Sequence, residues 1–176
     1  NLNLALQVLE VTDRAVIALN LMDEARRHGI GIDPEKLARE LGVPVIPMAA
    51  RQGTGMAALR DAILAVASGA VQPCPRRLEG LPPDVEAVVA EVLPAVAAAY
   101  PELPNARWVA LRLLSGDEQV SLAMDSEPLS VAVAEHRWRL PADFQDRLSA
   151  ALYAEAERIT RASSRRSSMS RPTMRR

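Results

Sequence analysis

Apolar and polar positions fall into blocks along the first part of the chain, and the blocks change period as they go. Leu2, Leu4, Leu6, Val8 and Leu9 are apolar, with Gln7 and Glu10 polar between and after them, which reads as a helix fragment. Val11 to Arg14 reads as a connector. Ala15 to Leu19 is a short, continuous apolar run, the pattern of a buried parallel strand. A short helix is predicted from Asp23 to His28, with Gly29 placed to take the left-handed position after it. Asp33-Pro34 opens another helix, Asp as N-cap and Pro at the first helical position, and Gly42 stops it after Leu41. Leu37 and Leu41 lie four apart and face the sheet. Val43 to Pro47 is a second strand whose two prolines suit an edge. A glycine-containing loop, Met48 to Gly55, leads into a helix from Met56 to Ala67. There Leu59, Ile63 and Val66 recur at helical spacing, with Arg60 and Asp61 opposite. Strand, loop, helix, repeated, is the closing part of a right-handed doubly wound α/β domain.

Ser68 to Arg77 is loop-like, rich in Pro and charge, and past Pro83 the strand pattern disappears. Val85, Val88, Val89, Val92 and Val96 mark an amphipathic helix, with a bend expected at Pro94. Trp108, Leu111 and Leu114 mark another, stopped by Gly116. Further helices are expected over Glu118 to Met124 and Leu129 to Trp138. A last one opens at Pro141 with Phe144, Leu148, Leu152 and Ile159 on one face. The fold class is therefore α/β followed by all-α. Residues 1–70 form the α/β part and 71–162 the helical part. Residues 163–176 form a basic tail, low in hydrophobics and expected to be disordered.

Composition refines this in three ways. Hydrophobic residues make up 49% of the chain but aromatics only 3%, so Ala, Leu and Val must fill the core. No apolar run approaches the length of a membrane span. The net charge of −1 splits into +7 from Arg158 onward and −8 before it, an acidic body with a basic end. An acidic body argues against nucleic-acid binding in the ordered part. Cys74 is the only cysteine, so it has no internal disulfide partner and no companion for a metal site. His28 and His136 lack a second ligand at metal spacing and read as surface histidines. Glu86, Glu91, Glu135 and Glu155 read as solvated helix charges, and Met56, Met124 and the two tryptophans as core. No metal or catalytic residue is assigned.

The chemistry concentrates where the two strands end. The first strand delivers Asn20 and Asp23 to its carboxyl end, where ligands bind in open α/β sheets. An ionised Asp is acceptor-only and can take both the N1–H and the exocyclic N2–H of guanine. Adenine presents an acceptor at that place, so the same Asp rejects it. Asn and Asp are also common turn formers and caps, so Asn-x-x-Asp alone has an ordinary structural reading too. The second strand ends in Ala49-Ala50-Arg51, a second loop able to meet the same base.

Together, Asn20-Leu21-Met22-Asp23 and Ala49-Ala50-Arg51 are similar to the guanine-specificity loops of small GTPases, Asn-Lys-x-Asp and Ser-Ala-Lys. The apolar Leu21-Met22 pair resembles one branch, the bacterial ferrous iron transport protein B family, whose loop reads Asn-Met-Met-Asp or similar. Asn1 to Glu10, Asp23 to Asp33 and Leu41 to Pro47 resemble that family's neighbouring segments. The resemblance implies the C-terminal half of a P-loop GTPase-like doubly wound sheet plus a helical regulatory domain. The intact protein would sit in the bacterial inner membrane and import Fe²⁺, its GTP or GDP site on the cytoplasmic face joined to a membrane-embedded transporter part. This segment itself would be soluble. Asn20, Leu21, Met22, Asp23, Ala49, Ala50 and Arg51 would line the base. Asp23 would read its N–H edge and Asn20 would tie the loop to its neighbours. The Ala50 N–H would point at O6, and the Arg51 stem would pack on the ring. Ala49 departs from the family's usual Ser, which implies weaker support of the Asp23 loop.

No Gly-x-x-x-x-Gly-Lys-Ser/Thr occurs, and Lys36, the sole lysine, lies mid-helix. Mg²⁺ is therefore expected only in an intact protein. This stretch alone should neither hydrolyse GTP nor hold it tightly, because phosphate contacts supply most of the binding. Two other readings stay open at this stage. One is a ribosome-assembly type of small GTPase, which normally carries Lys where Leu21 stands. The other is a non-enzymatic helical interaction module with a vestigial α/β half.

Overall fold

The computed structural model describes residues 2–103, 105–124, 126–137 and 139–166. In chain order its elements are α1 (Leu2–Val11), β1 (Ile17–Leu19), α2 (Met22–Arg27), β2 (Ile30–Ile32), α3 (Pro34–Leu41) and β3 (Val45–Pro47). Then come a 3₁₀ turn (Ala50–Gln52), α4 (Met56–Ala67), α5 (Pro83–Ala99), α6 (Ala106–Leu114), α7 (Glu118–Ala123), α8 (Glu127–Arg137), α9 (Phe144–Ser163) and β4 (Ser164–Arg166). Contacts divide the chain into two compact units. One comprises Arg14–Arg76 and the chain from Ala156 onward; the other comprises the chain up to Asp13 and Arg77–Glu155.

In the α/β unit, β1 and β3 run parallel, with Ile17 opposite Val45, Ala18 opposite Ile46 and Leu19 opposite Pro47. The pairing extends past both ends. Ile17 N–H donates to Pro44 O at 2.9 Å and Met48 N–H to Leu19 O at 2.8 Å. Pro44 and Pro47 have no N–H to give, so β3 suits an edge, as its sequence implies. α3 starts as predicted: the Asp33 carboxylate accepts the Lys36 N–H at 2.9 Å, and Pro34 takes the first helical position. Leu41 is fully buried and Leu37 nearly so. Gly42 ends the helix in the left-handed region at φ 72°. After α4 the chain returns to the end of α3, with Cys74 N–H donating to Gly42 O and Arg76 N–H to Leu41 O, both at 3.0 Å.

Three expectations fail in this unit. The run Ala15–Leu19, read as a buried strand, is parallel but only half-buried, with Ala18 exposed, because β3 is its one partner in a two-stranded sheet among the described residues. Ser163 to Arg166 belongs to the stretch read as a disordered tail. Instead Ser163 is the buried end of α9, and Ser164–Arg166 pairs antiparallel with Ile30–Ile32. Neither strand was legible. Three residues are too few to show a period of two, and the pairing joins segments more than a hundred residues apart. The rest of the tail, 167–176, lies outside the described residues, as does Trp138. On α4, Val66 is buried, but Ile63 and Met56, both read as core, are half exposed. The sheet under them has two parallel strands among the described residues, too narrow to cover the whole apolar face of a twelve-residue helix.

The other unit has the helical core the sequence predicts. Val85, Val92 and Val96 of α5 are fully buried and Val88 and Val89 nearly so. α5 packs on α6 and α8, and Trp108, Leu111 and Leu114 of α6, Leu129 of α8 and Phe144 and Leu148 of α9 are buried too. α5 continues through Pro94 without interruption. α9 begins at Phe144 rather than Pro141, after a turn in which Phe144 N–H donates to Pro141 O at 3.0 Å. Glu86 pairs with Arg107, and Glu91 with His136 and Arg139. Asp117 caps α7, accepting the Gln119 and Val120 N–H at 3.0 Å each. The Val120 contact leads the causes that hold its carboxyl below the usual carboxylate range. Its capping contribution is thus present above the ordinary carboxylate pKa and is lost as pH falls through the lowered one.

Contacts draw the border differently from composition, since α1 groups with the helical unit. Leu6 and Leu9 are buried there, and so is Glu10, only 2% exposed. Its carboxylate accepts the Leu78 N–H and the Asn105 side-chain amide, and Asn105 in turn caps α6 through the Trp108 N–H. Nothing in the pattern distinguishes Glu10 from a surface acid. Glu10→Ala would leave the buried Leu78 N–H without its acceptor, at a cost of about 1–3 kcal/mol, while the Asn105 amide keeps its bond to the Glu10 backbone carbonyl. Urea unfolding should show a lower midpoint at constant slope, whereas an unmoved midpoint would mean water replaces the carboxylate freely.

Candidate functional site

Strand pairing brings the two loops together. Because β1 and β3 are parallel and in register to their last residues, their carboxyl ends emerge side by side. Met22 N–H, at the start of α2, then donates to Met48 O at 3.0 Å and ties the first loop to the second. Between them Leu21 is left-handed (φ 64°, ψ 30°), the only non-glycine with positive φ among the described residues. Such a conformation costs an ordinary residue about 1–2 kcal/mol and is retained only where surrounding contacts fix it. It turns Leu21 outward, half exposed, and Met22 inward, 9% exposed.

The second loop closes on itself. Ala49 and Thr54 exchange backbone hydrogen bonds at 3.1 and 3.3 Å, and the 3₁₀ turn between them ends at Gly53. Two side-chain contacts then join the loops. Asn20 Oδ1 accepts the Ala50 N–H at 3.1 Å, and Asp23 Oδ2 accepts Gln52 Nε2–H at 3.1 Å. Arg27 Nη2 stands 3.8 Å from the same Asp23 oxygen, too far for a hydrogen bond. Beside Asp23 an open cleft of ≈ 630 Å³ is lined by Asp23, Arg26, Arg27, Arg51 and Gln52.

The residues singled out from sequence thus separate. Asp23 and Arg51 line the cleft, and Asn20 and Ala50 bond each other at its edge. Leu21 sits on the exposed turn, while Met22 and Ala49 are buried and contribute backbone bonds. The Ala50 N–H, expected to point at a base carbonyl, is instead donated to Asn20, the acceptor the parallel strands place beside it. Arg26, Arg27 and Gln52 were not singled out. Arg26 and Arg27 could have been, because three or four residues after Asp23 on a helix is the same face. Gln52 could not, since its reach back to Asp23 depends on the 3₁₀ turn. Chemically the cleft offers a carboxylate as acceptor, an amide and three guanidinium groups as donors. It suits a small planar ligand with paired N–H groups.

A family model described as ferrous iron transport protein B matches residues 1–63, and one described as FeoB cytosolic helical domain matches residues 82–164. The chain belongs to the ferrous iron transport protein B family. Among curated relatives, the Fe(2+) transporter FeoB of Salmonella typhimurium is 31% identical over 188 residues, covering 92% of this chain and 22% of that protein. A Porphyromonas gingivalis Fe(2+) transport protein A/Fe(2+) transporter FeoB fusion protein is 29% identical over 160 residues, covering 89% and 19%. The chain therefore spans about a fifth of the length of the curated relatives it matches. Among solved structures, the cytosolic domain of L. pneumophila FeoB superposes with a TM-score of 0.73 at 27% identity, over 93% of this chain and 62% of that one. A GDP-bound S. thermophilus NFeoB variant shares the fold, with a TM-score of 0.76 at 23% identity over 94% and 64%. FeoB membership decides against the ribosome-assembly alternative and agrees with the α/β-then-helical fold class.

Proposed function

We propose that this chain is the base-reading and helical part of a guanine-nucleotide-binding cytosolic region of an Fe²⁺ membrane transporter. The observation that carries it is Asp23. Its carboxylate stands at the carboxyl end of β1, opposite the second loop and partly open to the cleft, its side chain 24% exposed. A planar ring with adjacent N–H groups can lie there with both donors on one carboxylate. Arg51, across the cleft, supplies a flat guanidinium to stack on the ring. Asn20, through the Ala50 N–H, holds the second loop against the first.

Support also comes from relatives named as Fe(2+) transporters and from a related structure bound to GDP. The stretch 82–164, which matches the FeoB cytosolic helical domain, takes the regulatory role in this reading. The chain has no phosphate-binding glycine loop, so no step of GTP hydrolysis and no Mg²⁺ ligand is assigned to its residues. No described helix is long and apolar enough to cross a membrane. The membrane-embedded transporter part is accordingly a partner in this reading, with the present chain on its cytoplasmic side.

Saturation-transfer NMR of the 176-residue chain with guanosine and adenosine tests the assignment directly. Guanosine is expected to bind weakly, with its ring protons closest to the protein, and adenosine to bind less. Equal response to both nucleosides would remove the base-reading role.

A further inference from the structure

The two strand-end loops satisfy, with each other, the groups that the sequence leads one to expect at a base. Ala50 N–H is taken by Asn20 Oδ1, and Asp23 Oδ2 is taken by the Gln52 amide, each at 3.1 Å. The second contact matters more. A primary amide presents an N–H to a carboxylate oxygen much as guanine presents its N2–H. Gln52 therefore stands where a base edge would have to stand.

We propose that Gln52 is an internal competitor for Asp23, a side-chain stand-in for guanine that occupies the carboxylate until a base displaces it and so sets guanine affinity. The proposal rests on Asp23 being the base reader. The local fold puts Gln52 in place. It is the last residue of the turn Ala50–Gln52, which left-handed Gly53 terminates and the Ala49–Thr54 bonds hold shut. The turn faces the first residues of α2, and the Gln52 side chain reaches 29 residues back along the chain to Asp23. Both residues line the same cleft, so a ligand that takes the Asp23 carboxylate has to displace this contact. Gln52 is exposed, which makes the contact exchangeable rather than a fixed part of the core. Guanine wins because it brings two donors to the carboxylate where Gln52 brings one of its own to Oδ2. A ligand that makes no use of Asp23 gains nothing by displacing Gln52. The residue thus lowers guanine affinity without lowering adenine affinity.

The test is an NMR titration of the full chain with guanosine, comparing the natural sequence with Gln52→Ala and Gln52→Met; the methionine keeps the length and removes the donor. The Gln52 side-chain amide resonance of the natural chain should move as guanosine is added. Both variants should bind guanosine about three- to tenfold more tightly, the range expected for removing one competing solvent-exposed hydrogen bond. Line-shape analysis should assign the gain to faster association, because the contact exists only in the free protein. Adenosine affinity should not change. Unaltered guanosine affinity in both variants, alongside weaker binding by Asp23→Asn, would overturn the competition and leave the base reader standing. Weaker guanosine binding by both variants would also overturn it, making Gln52 a contact to the base. If Asp23→Asn also leaves guanosine affinity unchanged, the base reader fails and the competitor with it.

Discussion

Asp23→Asn is expected to turn a guanine site into one that prefers xanthine. The carboxylate accepts at both oxygens, whereas the amide accepts at one atom and donates at the other. Guanine's exocyclic N2–H would then face an N–H₂ group, two donors without an acceptor between them. Xanthine has a carbonyl at that place and would receive the new donor. Charge-assisted hydrogen bonds contribute about 1.5–3 kcal/mol each, so losing one should weaken guanosine roughly ten- to a hundredfold. Competition between guanosine and xanthosine on the full chain measures the change. Stability should move little, since Asp23 is partly exposed and lies in the first turn of a helix of only six residues. Its carboxylate contributes a few tenths to about 1 kcal/mol to that helix terminus. A guanosine preference that survives the substitution would sink the assignment of Asp23, whatever the family relationship.

Gly42→Ala should be the most damaging small change in the α/β unit. Its φ of 72° lies in the region that L residues avoid, and a Cβ there would sit 2.0 Å from the Cys74 carbonyl oxygen. That atom belongs to the backbone, so relief requires Cys74 to Arg76 to move away from α3. The movement would break the Cys74 N–H to Gly42 O and Arg76 N–H to Leu41 O bonds. Left-handed strain of about 1 kcal/mol and two backbone hydrogen bonds at about 1 kcal/mol each give a loss of about 2–4 kcal/mol. That is a large part of a typical domain's total stability of about 5–15 kcal/mol. Gly69→Ala is the control. Its φ of 78° is equally strained, but nothing lies within 4 Å of the added Cβ. It should lose only the conformational part. Urea midpoints of the two variants, compared at constant slope, give the difference. Equal losses would mean that the strand-like return past Gly42 contributes nothing to holding α3.

Much of the α/β unit was legible because its signals are local. Asp33-Pro34 and Gly42 bracket α3 by cap chemistry that involves only neighbouring residues. The run ending in Asn20 and Asp23 announces a strand with polar groups at its carboxyl end. The valine spacing of α5 and the Phe144, Leu148, Leu152 and Ile159 face of α9 report burial through periodicity alone, and all of them are buried. The β2–β4 pair was not legible. Ser164–Arg166 looks like a polar tail until Ile30–Ile32 offers it an edge, and Asp33 N–H adds a bond to Ser163 O at 2.9 Å. Glu10 was hidden for the same reason, because what buries it, Leu78 and Asn105, arrives from distant sequence.

At the site, the sequence by itself determined the chemistry available: a carboxylate and an amide three residues apart after one strand, and Ala49-Ala50-Arg51 after another. Residue type and strand polarity suffice for that, since both are properties of short segments. Only the tertiary structure decided which of those groups face the cleft and which face each other. The parallel register of β1 with β3 set the loops side by side, and left-handed Leu21 turned Met22 into the core. The 3₁₀ turn then delivered Gln52 to Asp23 and the Ala50 N–H to Asn20. Such pairings depend on directions and distances within a few ångströms between segments some thirty residues apart, and no local pattern of polar and apolar residues encodes them.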